Sequence, residues 1–454
     1  VVSDSTEQKK VLVVGMGVSG RAVCEVLLNR GAQVVATDLG SRERFGTALD
    51  ALESRGCVLR LGTHLLDDFI QADQIVVSPG VPLDLGPLKA AAEKGVEIIG
   101  ELEWAWRQTK APVAAVTGTN GKTTTTSLLG EMLMAAGKSV FVGGNIGDPL
   151  SRWILEGGEA DVLVLEVSSF QLDTASTFNP QVGILLNITE DHLDRYDSFD
   201  AYIDSKLSLF ARQTLEQSAI VNLDDPVCRE RCSSIPGRLL TYSRKRADVN
   251  ARVVRGCTQV NIPEIQPFEL NLSGIPLQGV HNEENIMAAS LAASLMGVAP
   301  GVLQEVIGTY RGLPHRVEWV RSWNGIDFYD DSKGTNVGAV VKALENFDRP
   351  VWLLLGGRDK LGSYEPLIEP LKQKGQGVLA FGESASRIRE QLGAAVSTQS
   401  FPNLEQAFEE ALQKATSGDI VLLSPACSSF DQYDNYAQRG DHFKRLVNGL
   451  HGES

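Results

Sequence analysis

Four times in this chain an apolar, largely β-branched run ends in a Gly- or Ser-rich turn and gives way to a helical pattern. These are KVLVVGMGVSGRAV from Lys10, AAVTGTNGKTTTTSLL from Ala114, PVWLLLGGRDK from Pro350 and DIVLLSPACSSFD from Asp419. Uninterrupted runs of this length suit strands buried on both faces, and a helix after each makes the βα unit of a parallel sheet. QIVVSPG, VEIIG, ADVLVLEVSSFQL, PQVGILLNITEDHLDRY, SAIVNLDD and GVLAFGES continue the alternation. The pattern predicts an α/β protein of three domains. Their expected spans are 1–100, Rossmann-like; 101–312, central and P-loop ATPase-like; and 313–454, again Rossmann-like, with a helix at Glu101–Gln108 as the first link. Residues 238–280, broken by Pro, Gly and Asn, predict a small antiparallel patch before a strong helix in HNEENIMAASLAASLMG.

Composition narrows the function classes. The 454 residues are 43% apolar and 22% charged, as expected of a globular protein. No window approaches the roughly 20 apolar residues of a membrane helix, and VVSDSTEQKK carries no export-signal core, so a loose tail and a cytoplasmic protein are expected. A net charge of −15 argues against a general nucleic-acid or anionic-membrane binder, but not against a small anionic ligand held by local cations. Cys228 and Cys232 are four apart, yet no second ligand pair accompanies them. The six cysteines therefore read as thiols in a reducing compartment rather than as a zinc site.

Two glycine-rich turns point to nucleotides. Gly15, Gly17 and Gly20 follow a strand and open a helix, with Asp38 about twenty positions on. That pattern suits NAD, another diphosphate-bearing ligand or a structural turn, because a helix N-terminus accepts any pyrophosphate. The second turn, Gly118-Thr119-Asn120-Gly121-Lys122-Thr123, is more specific. Its glycines let backbone N–H groups face phosphates, Lys122 reaches the outer oxygens, and the Thr123 hydroxyl suits Mg²⁺. Val116 stands where the usual motif begins with Gly, which predicts a tighter variant. Glu166 ends the strand VLVLE, and Asp191-His192 follow another, both at the carboxyl edge where such sheets bind ligands. Read alone, His192 suits an ordinary loop and Lys206, on a helical pattern, suits solvent.

Taken in order, GTNGKT, EVSSFQL, DHLDRY, the lysine of the next helix, HNEEN, LPHRVE, DDSKGTN, LLLGG and SPACSSFD resemble the Mur ligase family, over essentially the whole chain after the first ten residues. These are ATP-dependent amino-acid ligases of bacterial cell-wall synthesis. GLPHR leading to DDSKGTN, and the closing SPACSSFDQY, are closer to the member that adds D-glutamate than to those adding L-alanine, diaminopimelate or lysine, or the dipeptide.

The resemblance implies roles. The first domain would bind the UDP-sugar, with Gly17, Val18, Ser19, Asp38, Ser78 and Gly80 around uridine and diphosphate, and Asn145 and His192 on the lactyl–alanine arm. ATP would lie on Gly118, Thr119, Asn120, Gly121, Lys122, Thr123 and Thr124, with Asn282 and Asn285 toward adenine and Arg316 and Asp331 completing the site. A capped helix start is the plainer role for the two asparagines. Two Mg²⁺ ions are implied, held by Thr123, Glu166, His192 and Lys206, the last as a CO₂-derived carbamate. Lys333, Thr335, Lys360, Ser424 and Phe430 would hold D-glutamate. Lys122, His192, Lys206 and Arg316 are then the catalytic candidates. The partners implied are ATP, UDP-N-acetylmuramoyl-L-alanine and D-glutamate, with no nucleic acid or membrane, and a monomer is expected. The chemistry implied is an acyl phosphate, formed and consumed under a third domain that closes over it. Another Mur-type or folylpolyglutamate-type ligase is the alternative, although the latter lacks an N-terminal domain of this kind.

Overall fold

A computed structural model describes residues 9–191, 195–277, 279–359 and 363–451. The first sheet holds β1 (Lys10–Val14), β2 (Gln33–Asp38), β3 (Val58–Leu61), β4 (Gln74–Val77) and β5 (Glu97–Gly100). All are parallel, in the order β3-β2-β1-β4-β5. The unbroken apolar run of β1 has a direct cause. Val11 and Val13 pack into one cluster with the helix Val18–Asn29, while Leu12 and Val14 pack into another with Phe69 and Leu88. The strand order reverses between β1 and β4, so a crevice opens at their carboxyl ends, beside the turns at Gly15 and Ser78.

The second sheet has nine strands: β6 (Val113–Thr117), β7 (Val140–Gly144), β8 (Val162–Glu166), β9 (Val182–Leu185), β10 (Ser218–Asn222), β11 (Arg238–Ser243), β12 (Ala251–Val254), β13 (Cys257–Val260) and β14 (Phe268–Asn271). Their order is β14-β13-β12-β11-β10-β9-β6-β8-β7. The expected antiparallel patch is smaller than 238–280. Strand β11 joins the parallel sheet, Ser218 opposite Arg238, because the helix Pro226–Arg231 makes a crossover before it. β12 also pairs parallel, with β11, and only the β12–β13 and β13–β14 pairs are antiparallel, the first joined through Arg255 and Gly256, both at positive φ as a tight hairpin requires. The helix Val280–Leu295 follows.

The third sheet comprises β15 (Glu318–Trp323), β16 (Ile326–Asp330), β17 (Val351–Gly356), β18 (Gly375–Phe381), β19 (Thr398–Phe401) and β20 (Ile420–Leu423), ordered β15-β16-β20-β17-β18-β19. β15 and β16 form a hairpin turned by Asn324-Gly325, and the other neighbours are parallel. β20 returns from the chain's end to lie between β16 and β17, which brings the turns after β16 and β20 together. The three sheets lie within 1–100, 101–312 and 313–454.

The chain divides into two compact units, Val1–Ser273 with Glu284–Ile307, and Gly274–Glu283 with Gly308–Ser454. Within the first, the helix Glu101–Trp106 carries the link, two residues shorter than expected. The buried Glu103 carboxylate accepts the backbone N–H groups of Thr177 and Phe178 at 3.0 and 2.9 Å and fastens the link to the central sheet. No helix among the described residues is long and apolar enough to cross a membrane. All six cysteines are free thiols.

Candidate active site

The central turn grows out of β6. Gly118 has φ +146° and Gly121 φ +84°, which only glycine adopts without strain. Gly121 caps the helix Lys122–Ala135, whose N-terminal amides face the loop. Lys122 Nζ donates to the carbonyls of Gly118 and Thr119 at 2.8 and 2.9 Å, so the ammonium lies over the loop it is expected to complete. The segment after β9 clamps the turn. Asn187 Oδ1 accepts the Asn120 N–H at 2.8 Å, its Nδ2 donates to the Asn120 carbonyl at 3.0 Å, and its own carbonyl accepts the Thr119 N–H at 2.9 Å. Asn187 was not a sequence candidate. Its only signal is an asparagine ending the apolar run GILLN.

Glu166 ends β8 beside Val116 of β6. It is buried, and Oε1 accepts Asn145 Nδ2 at 2.7 Å. Its Oε2 is also buried and has no hydrogen-bond partner among the described residues. A carboxylate oxygen left so beside a phosphate loop fits a cation. Lys206 lies on the helix Phe199–Leu207, capped by the Ser198 hydroxyl. It is 2% exposed, donates to the Gly118 carbonyl at 3.0 Å and sits 4.6 Å over the Tyr202 ring. Burial, with the Lys122 charge adding to it, lowers its pKa to about 7. It is thus not the solvated lysine its helical setting suggests. Asn285 joins this group, its Oδ1 accepting the Thr125 hydroxyl at 3.1 Å. Asn282 and Asn285 both lie inside the helix Val280–Leu295 rather than at its cap.

In the first sheet the turn is held from behind. The Ser78 hydroxyl donates to the Gly15 carbonyl at 2.9 Å, and the Asp38 carboxylate accepts the N–H groups of Met16 and Gly40, each at 2.7 Å. Gly20 passes so near that a Cβ there would collide with the Gly15 carbonyl. Asp38 therefore shapes the turn, while Val18 (58% exposed) stands open at its rim.

The third sheet gathers Asp331 and Ser424, whose hydroxyl donates to Asp331 Oδ2 at 2.6 Å, with Gly334 packed against both. Burial pushes the Asp331 carboxyl up to about 7, against the lowering pull of Ser424 and Arg316. Lys333 Nζ lies 5.1 Å from the Tyr436 ring centroid, and the Thr335 N–H bonds the Lys333 carbonyl at 2.8 Å. Phe430 is exposed. His315, Val317 and Ala426 all adopt positive φ around these turns, a concentration of backbone strain of the kind that marks functional sites. The wholly buried Arg439 ties the turns together, donating to the carbonyls of Ser332, Cys427, Gly356 and Ser428 at 2.9–3.3 Å. No sequence signal marked it. His192 and Lys360 lie outside the described residues.

Comparison with known proteins agrees with this layout. Residues 9–100 match the MurD-like N-terminal domain of Mur ligases, 116–293 the Mur ligase middle domain, and 315–427 the Mur ligase glutamate ligase domain. The chain is 45% identical over 452 residues to the UDP-N-acetylmuramoylalanine–D-glutamate ligase of Desulfosudis oleivorans, covering 98% of both chains. It is 42% identical over 444 residues to that of Geotalea daltonii, again over 98% of both. Among solved structures, MurF ligase from Thermotoga maritima in complex with ADP shares the fold with a TM-score of 0.59 at 17% identity, over 98% of this chain and 99% of that one. UDP-N-acetylmuramate–alanine ligase MurC from the same organism gives 0.58 at 20%, over 97% and 100%. Matched over 98% of its residues by these relatives, and by Mur ligase models in three successive stretches, the chain belongs to the Mur ligase family.

Proposed function

We propose that this chain joins D-glutamate to UDP-N-acetylmuramoyl-L-alanine at the expense of ATP, as a cytoplasmic enzyme of peptidoglycan precursor synthesis. The observation that carries the chemistry is the meeting of Lys206, with an amine pKa near 7, and the phosphate loop at the Gly118 carbonyl. Relatives 42–45% identical over nearly their whole length, and named for D-glutamate ligation, support the acceptor.

A carboxylate and an amine do not condense at a useful rate, because hydroxide is a poor leaving group. ATP removes that obstacle when the alanyl carboxylate attacks the γ-phosphorus, giving an acyl phosphate and ADP. The amine of D-glutamate then adds to the acyl carbon and phosphate leaves. Phosphoryl transfer needs alignment and charge neutralisation more than covalent help. The loop amides and Lys122 would orient the β- and γ-phosphates, with Arg316 opposing the charge that develops. Magnesium, when bound to Thr123, Glu166, His192 and a carbamate of Lys206, would neutralise the phosphate oxygens. Glu166 Oε2, without a hydrogen-bond partner among the described residues, and the Lys206 amine, lowered to about 7, fit that donor set, since only an unprotonated amine adds CO₂. Gly17, Val18, Ser19, Asp38, Ser78 and Gly80 would form the UDP site, and Asn145 would meet the alanyl arm. Lys333, Thr335, Lys360, Ser424 and Phe430 would hold D-glutamate.

The test is phosphate release from Mg·ATP with UDP-N-acetylmuramoyl-L-alanine and D-glutamate, L-glutamate or no amino acid. Stoichiometric release requiring both the UDP-sugar and D-glutamate is expected. Lys206→Arg, which keeps a long basic side chain but forms no comparable carbamate, is expected to be inactive. Release independent of either acceptor or donor would make the chain a plain ATPase, and dependence on another amino acid would make it a different ligase.

A further inference from the structure

Arg195 closes the segment DHLDR but belongs to none of the sites above, and its side chain reaches the turn after β4 of the first sheet. Its guanidinium donates to three successive carbonyls of the turn after β4: Pro79 at 3.5 Å, Gly80 at 3.3 Å and Val81 at 2.7 Å. The same group lies 4.5 Å over the ring of Phe170, in the short helix Ser169–Leu172 that follows Glu166. Phe170 in turn stacks on Tyr196, with centroids 6.0 Å apart. The Tyr196 hydroxyl donates to Asp173 at 2.8 Å, and the Ser205 hydroxyl donates to the other oxygen of that carboxylate at 2.6 Å. Ser205 immediately precedes Lys206.

A continuous chain of contacts therefore runs from the first-sheet turns to the helix that carries Lys206. One end is the bond from Ser78 to Gly15, and the other is Ser205. A planar fork of donors suits the task, because it can grip adjacent carbonyls and still lie flat on an aromatic ring. A lysine can do the first in part and the second poorly. The peptide plane adds a consequence: with the Pro79 carbonyl drawn to Arg195, the Gly80 N–H points the opposite way.

We infer that Arg195 is a positioning residue for the ligase reaction: it sets the sugar-nucleotide turn at a fixed distance from the phosphoryl-transfer centre, so that a substrate spanning both arrives aligned. The inference rests on the UDP site proposed above. A displacement of about 1 Å between reacting groups can cost on the order of 100-fold in rate, so a loose junction would be felt in turnover while each half-site still binds its own ligand.

The test compares Arg195→Ala, Arg195→Lys and Ser78→Ala, using UDP alone as a binding probe beside steady-state kinetics. For Arg195→Ala, kcat/KM for the UDP-sugar is expected to fall about 10- to 100-fold, with UDP affinity and KM for ATP within about twofold of the parent. Arg195→Lys is expected to recover part of the loss. Unchanged kcat/KM would overturn the inference, and so would a loss of UDP affinity in parallel with it, since Arg195 would then only keep the turn folded. Failure of Arg195→Ala to fold leaves the decision to Arg195→Lys, read by the same split. Ser78→Ala separates the premise from the inference. If it leaves UDP affinity unaltered, the site assignment itself fails, whatever Arg195 does.

Discussion

Two buried groups of opposite charge type carry pKa values near 7 in this protein, Lys206 and Asp331, both through burial. For Asp331 the folded value lies above the ordinary 3.8. Folding therefore takes up a proton, and the stability this group contributes is present at acid pH and is lost as pH rises through about 7. Asp331→Asn keeps an acceptor for the Ser424 hydroxyl and never ionises. It should be more stable than the parent at pH 8 by roughly 1–3 kcal/mol, with the difference vanishing near pH 4. If Asp331 helps to complete the ATP site, as the family resemblance implies, ligase activity should nevertheless be lost, the carboxylate having been kept at a stability cost. Denaturant unfolding at the two pH values, read beside phosphate release, checks this. A variant less stable at pH 8 would mean that the carboxylate is already compensated.

At the scale of elements, the helix Val18–Asn29 can reach β1 only because Gly20 has no side chain. Gly20→Ala should force the helix away from the Gly15 carbonyl, destabilise the first unit by about 1–3 kcal/mol and weaken UDP binding at least tenfold. ATP binding should hardly change. Calorimetric titration with each nucleotide separates the two effects, and equal losses for both would refute a local cause. That glycine was legible in GMGVSG, as were the strands on either side, because a buried parallel strand writes its whole length in apolar residues. β11 was less legible: RLLTYS is buried at only three of its six residues and lies among turn residues, and only its pairing with β10 identifies it as parallel. The site followed the same rule. GTNGKT and Glu166 are local patterns at strand ends. Asn187, Arg195 and Arg439 act by gripping backbone carbonyls or amides of distant turns, and those partners meet only once the sheets have formed.

For the whole molecule, each sheet presents a turn system at its carboxyl edge, and the proposed reaction assigns one reactant to each. That division makes a chemical demand that no single site makes. If ATP were hydrolysed on the central turn and the amide formed by some other route, the alanyl carboxylate would keep both its oxygens until amide formation expelled one as water. If the carboxylate attacks the γ-phosphorus, one of its oxygens becomes the bridge of the acyl phosphate. When the amine then displaces phosphate, the acyl carbon–oxygen bond breaks and that oxygen departs on phosphorus. UDP-N-acetylmuramoyl-L-alanine labelled with ¹⁸O in both carboxylate positions should therefore yield inorganic phosphate carrying one ¹⁸O per amide formed, as mass spectrometry of the released phosphate would read. The other ¹⁸O should remain in the new amide carbonyl. Unlabelled phosphate would remove the acyl phosphate from the mechanism and leave the central turn as an energy source coupled by some other means. One label per turnover would tie the turn at Gly118 directly to the bond being made.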